Sequence, residues 1–159
     1  QWLFLFPGVA MALVGLIGFA WLGHGPVVFG HIGLDVHSML YFSAATVLGA
    51  QLMQFAMLVR WVAVVAGIVQ EPTWISRAKH FGSVEAGLIG GLLLFVAGAF
   101  WSVGLFNAWR QAGYSELQPQ TMMRSVIPAV TMLVIGIQAA AGSLLAGALH
   151  LAWKTSRSK

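Results

Sequence analysis

The chain has 159 residues, of which 59% are hydrophobic and only 8% charged, with a formal net charge of +4. A soluble domain carries about 25% charged residues, so this chain cannot clothe a globular surface in water and must be covered by lipid. With no cysteine, disulfides and thiolate metal sites are excluded. The Lys and Arg residues flank apolar runs instead of gathering on one face as a nucleic-acid reader requires.

A bilayer core of about 30 Å needs about 20 apolar residues in a helix, and four runs meet this. The first covers about 2–22. Pro7 lies in its early turns, where the missing N–H does least damage. Gly8, Ala12 and Gly15 give it a smooth face for another helix, and Trp2 and Trp21 bracket it as interfacial anchors. The segment from Gly23 to Val36 reads as a glycine-rich loop carrying His24 and His31.

The second run, about 38–60, opens on Ser38 as an N-cap and is closed by Arg60. Beyond it, residues 61–69 stay apolar, continuing the helix past the bilayer or lying on its surface. Glu71, Pro72 and Thr73 break the pattern, and Arg77, Lys79 and His80 form a basic patch. The third run covers about 84–109. Its small residues Gly87, Gly91, Gly98 and Ser102 share a face suited to helix contact. After a polar loop, the fourth run covers about 126–153 with Pro128 in its first turn. Thr131, Gln138 and Gly142 lie on one side of it. The fold expected is all-α: a single four-helix transmembrane domain over 1–159.

Six cations, Arg60, Arg77, Lys79, Lys154, Arg157 and Lys159, fall on one side of the spans, against Arg110 and Arg124 on the other. The positive-inside rule then places the second loop and both termini in the cytoplasm.

Few residues are candidates for chemistry. Asp35 and His37 sit at one mouth of the second helix and Arg124 at the corresponding mouth of the fourth. They are read as a structural latch, since charges near lipid are usually paired. Gln51, Gln54, Gln138 and Glu85 are the polar groups of the spans. The amides are read as interhelical glue, and Glu85 as a partner for Arg60 favoured by the positive end of its helix. Arg60, Arg77, Lys79 and His80 are of the type that holds a lipid phosphate, although topogenesis alone also accounts for them. Five histidines raise the question of haem, but no two face each other within the spans, and no HExxH spacing occurs. With four acidic residues in all, the chain has no carboxylate set for a metal.

Three stretches carry a resemblance: residues 34–41 (LDVHSMLY) with Gly49-Ala50-Gln51; Arg60-Trp61-Val62-Ala63-Val64; and residues 124–131 (RSVIPAVT) with Gly136-Ile137-Gln138. Together with the leading residues 2–8 they resemble the C-terminal membrane region of bacterial and archaeal family 2 glycosyltransferases, the group similar to dolichol-phosphate mannose synthase. The resemblance implies a cytoplasmic catalytic domain before Gln1. That domain would use a nucleotide sugar and a divalent cation, Mg or Mn, and pass the sugar to a polyprenyl phosphate. No cofactor is expected in this chain itself. It also implies a plasma membrane of bacterial or archaeal type, with membrane lipid, polyprenyl phosphate and the catalytic domain as partners; a homo-oligomer stays open. In this reading the helices anchor the protein and position the acceptor. The alternative is a small flippase-like or transporter subunit that moves a lipid-linked sugar without catalysis.

Overall fold

The computed structural model describes residues 2–29, 32–69, 83–114 and 119–157. Four long helices account for most of them: α1 (Trp2–Gly23), α2 (Val36–Val65), α3 (Ser83–Gln111) and α4 (Pro119–Arg157). All four are long and apolar enough to cross a membrane. Their lipid-facing surfaces are rich in large apolar side chains, such as Leu3, Ile17, Tyr41, Leu93 and Phe100. This is the outside expected when lipid is the solvent.

The helices form two antiparallel pairs. On α1, Gly8 lies against Leu52 and Met53 of α2, Gly15 against Thr46, and Gly18 against Phe42. A Cβ on Gly49 would meet Ala12 and the carbonyl oxygen of Gly8 at 2.6 Å, so the two backbones nearly touch. The α3/α4 pair is built likewise. Gly91 faces Ala140 N at 2.6 Å and Gly98 faces the Ala129 carbonyl at 2.9 Å from its virtual Cβ, while Gly136 answers against Phe95 N at 2.5 Å. Small residues permit this approach, and close packing drives association where lipid tails remove any hydrophobic advantage. The pairs join through α2 and α4, which run parallel. The order across the assembly is therefore α1, α2, α4, α3.

Between α1 and α2 lies a feature the loop reading misses. Strands β1 (Val27–Phe29) and β2 (Ile32–Leu34) pair antiparallel, with Val27 opposite Leu34. Val27 and Leu34 pack on a cluster of Leu22, Met39 and Ile127, with Phe19 and Phe42 beside it. This small lid gives the glycine-rich segment a fixed place and sets where α2 begins.

Helix bounds differ from expectation at three ends, for identifiable reasons. Arg60 does not close α2, which continues to Val65. Arginine is a good helix former, and charge alone does not break a backbone. The stop is a Schellman motif around Gly67, whose φ is 72°: Gly67 N–H donates to Val64 O and Ile68 N–H to Ala63 O. At the other end of α2 the N-cap is Asp35, not Ser38. Helix α4 begins at Pro119, seven residues before the apolar run, because proline is at home in a first turn while the polar residues behind it propagate a helix as well as apolar ones do. Pro128 is consequently inside the helix, not in its first turn. At 39 residues, α4 is about 58 Å long by its rise per residue, well beyond the hydrocarbon core.

Candidate functional site: a polar seam between α2 and α4

The polar side chains of the spans converge on the contact between α2 and α4. At one mouth, Arg124 Nη2 donates to Asp35 Oδ1 at 2.5 Å. Asp35 holds the N-cap position of α2 but makes no side-chain cap hydrogen bond. Its backbone there is extended, and its carboxylate is spent on the arginine across the seam. The guanidinium also passes near Gly25, whose virtual Cβ lies 3.8 Å from Nη1. The Arg124 hydrogen bond holds the Asp35 carboxyl below its usual range; partial burial works against this, and the Val36 backbone and the charges of Arg124 and His37 add to it. His37 stands exposed on the first turn of α2 and makes no ion pair with the carboxylate.

Deeper in, Ser43 and Thr131 are buried with their hydroxyl oxygens 2.6 Å apart. Thr131 Oγ1–H donates to the Ile127 carbonyl at 2.6 Å. A hydroxyl has one proton, so Ser43 is the donor to Thr131. Deeper still, Gln54 Nε2 donates to the Gln138 carbonyl at 2.7 Å. The Gln54 amide lies where a side chain on Gly142 would stand, so that glycine is the notch that admits it. Arg124, Thr131 and Gln138 are seven residues apart on α4, and this spacing keeps them on one stripe.

Three other residues stand elsewhere. Gln51 is exposed on the lipid side of α2, apart from the seam with Gln54 and Gln138. Glu85 is exposed on the first turn of α3 and makes no ion pair with another described residue. Arg60 is half-buried on the flank of α2 that faces α1, in line with Gly49 and Ala56. Arg77, Lys79 and His80 lie outside the described residues.

Serine 43 is the seam residue that sequence reasoning passes over. Its signal was available: Ser43 lies eight positions after Asp35 and Thr131 seven after Arg124, so parallel helices locked at one pair bring the other pair level.

Asp35 is committed to Arg124, Glu85 sits at the far end of the spans, and among the described residues no three His, Cys, Asp or Glu side chains gather.

Two helical hairpins with glycine-lined contacts, zipped together by buried hydroxyls and amides, define a polytopic α-helical membrane domain. The chain matches the family model of the glycosyltransferase family 2 C-terminal transmembrane region over residues 57–150, more than half of its length, and it belongs to that family. The match spans the end of α2 and nearly all of α3 and α4. No curated protein and no solved structure matches the chain.

Proposed function

We propose that this domain, besides anchoring a family 2 glycosyltransferase in the membrane, holds a polyprenyl-phosphate acceptor at the membrane face where Arg60 lies. Family membership supports an anchoring role. The observation that carries the finer reading is the place of Arg60. It is a half-buried cation inside α2, about two turns before the Gly67 cap, at the edge of the spans where anionic headgroups gather. Arg77, Lys79 and His80 follow closely in sequence and complete the cationic set in this proposal. By the positive-inside rule, that end faces the cytoplasm of a bacterial or archaeal cell.

The physical role is concentration without chemistry. An acceptor whose tail stays in lipid and whose phosphate stays beside these cations meets a tethered catalytic domain at high effective concentration. Such a domain, preceding residue 1 and carrying its own divalent cation, belongs to the same proposal.

The test is polyprenyl-phosphate binding to the protein in lipid nanodiscs, read by native mass spectrometry. The triple variant Arg60→Ala, Arg77→Ala, Lys79→Ala is expected to lose on the order of tenfold or more in retention, since each basic group near a charged headgroup contributes about 1 kcal/mol. In membranes holding the active transferase, the acceptor KM is expected to rise with it. Retention and KM equal to those of the unaltered protein would sink the proposal.

A further inference from the structure

Of the amides Gln51, Gln54 and Gln138, Gln51 is the one left outside the seam. Gln51 sits at the midpoint of α2, exposed, and no hydrogen bond satisfies its amide among the described residues. A primary amide carries two donors and an acceptor. In the hydrocarbon core no water reaches it, and an unsatisfied amide there is costly. Gln54, one turn further on, shows how the chain satisfies such a group when a neighbour is present: it finds a carbonyl on α4. Gln51 is exposed on a side of α2 that no helix among the described residues covers.

The surroundings of Gln51 are shaped for another helix. Ala44 lies seven residues before it and is exposed, a small residue that allows close approach. Leu48 and Phe55 flank it at 48% and 51% exposure, one turn above and one turn below. Positions 44, 51 and 58 keep the seven-residue repeat of a supercoiled seam, with a single polar residue, Gln51, at the centre.

We infer that Gln51 marks the face by which two copies of this chain associate in the membrane, α2 against α2. The choice of a second copy follows from the chemistry. A glutamine amide is self-complementary: each carbonyl oxygen accepts from the other's N–H, so a two-fold axis along the membrane normal satisfies both at once. Such an axis brings each residue of a parallel helix pair onto its own counterpart. Ala44 then meets Ala44, and the Leu48 side chains pack beside the amide pair. The face borders α1 at Phe55, whose ring meets Phe4 edge to face at 5.6 Å, and lies apart from the glycine contact with α1 and from the seam with α4.

The chain contains no cysteine, so single cysteines report on this face without background. In native membranes under mild oxidation, Ala44→Cys is expected to form a disulfide-linked dimer. Leu13→Cys on α1 and Leu93→Cys on α3, both lipid-exposed, are expected to remain monomeric. In detergent, Gln51→Leu is expected to lower the dimer association constant about fivefold, as loss of an interhelical amide bond of about 1 kcal/mol implies. Gln51→Asn, which keeps the amide, restores part of it. Gln51 makes no hydrogen bond with another described residue, so an unchanged thermal midpoint of both variants at dilutions where the protein is monomeric separates association from folding. Cross-linking at Ala44→Cys no faster than at Leu93→Cys overturns the inference. So does an unchanged association constant in Gln51→Leu, or a monomer that loses co-purified lipid when Gln51 is replaced.

Discussion

Arg124 and Asp35, 89 positions apart in sequence, are joined by a hydrogen bond of 2.5 Å that fastens the start of α4 to the N-cap of α2. The aspartate gives up its capping role for this bond. The two helical pairs are therefore tied at the mouth where β1 and β2 also pack, and the parallel alignment of α2 and α4 begins there. Removing either partner is expected to lower stability, and removing both together should cost no more than the worse single change. A double-mutant cycle on Asp35→Ala and Arg124→Ala, read by thermal unfolding in detergent, checks this; strict additivity would deny the pairing.

The same pair sets a pH dependence. The folded carboxyl of Asp35 titrates below its ordinary value of 3.8. The pair's contribution is thus complete above that ordinary value and is lost as pH falls through the lowered one. Unfolding midpoints are expected to hold from pH 6 to about pH 4 and to fall below it, with a shallower fall in Asp35→Asn. Equal slopes in the two proteins would assign the acid sensitivity to other groups.

Much of this architecture was legible in the residues, and what was not has definite causes. Spans are visible because lipid requires long apolar runs, and Gly8, Gly15, Gly87, Gly91 and Gly98 announce the two close contacts by their spacing. The Asp35–Arg124 pair is visible because both are charges at matching mouths. Arg60 misleads, since a charge in an apolar run looks like an end while the real stop, Gly67, is a backbone signal seven residues on. Gln51 misleads in the opposite direction. Its kinship with Gln54 suggests a shared seam, but three residues along a helix turn it far enough to leave that seam. The β1/β2 lid is too short to show any alternation.

Glycines that look alike in sequence are expected to respond oppositely. A Cβ on Gly136 would stand 2.5 Å from Phe95 N and 2.8 Å from Gly91 O, both backbone atoms that cannot swing aside. Gly136→Ala is expected to destabilise by about 1–3 kcal/mol through forced separation of α3 and α4. Gly90 and Gly104 face open space; alanine there is expected to be neutral or to gain up to about 1 kcal/mol from helix propensity. Unfolding in graded denaturing detergent measures the contrast. A tolerated Gly136→Ala would show that the pair is looser than its geometry implies.

The Gln54 bond offers a test of the seam itself. Gln54→Leu removes the donor to the Gln138 carbonyl, but that carbonyl keeps its helical partner, so the loss is expected to be about 1 kcal/mol or less. Gly142→Leu fills the notch that Gln54 occupies and is expected to cost more, since it displaces the amide and wedges the pairs apart. Combining the two should recover little, because leucine at 142 still meets leucine at 54. Gly142→Ala with Gln54→Ala should recover more, since a small side chain at each position leaves room. Stability of the four variants by reversible unfolding in mixed micelles decides this, and a harmless Gly142→Leu would contradict the placement of Gln54.

Gly67 and Gly113 end α2 and α3 by the same device, with φ of 72° and 69°. Behind Gly113, Gly113 N–H donates to Arg110 O and Tyr114 N–H to Trp109 O, and the Trp109 and Tyr114 rings meet edge to face at 4.9 Å. This is the apolar contact that accompanies a Schellman cap. Tyr114 itself is left-handed, with φ 56°, a conformation a tyrosine holds only at a cost. Gly113→Ala is expected to lose about 1 kcal/mol, as the left-handed backbone penalises a Cβ, and Tyr114→Gly to lose less, because relief of backbone strain offsets the lost ring contact. Amide hydrogen exchange in the last turn of α3 is the sensitive measurement, since fraying there need not unfold the rest. Faster exchange at the amides of Gly113 and Tyr114 in Gly113→Ala, with the middle of α3 unchanged, is the expected pattern; unchanged protection would mean that the cap does not hold the end of the helix.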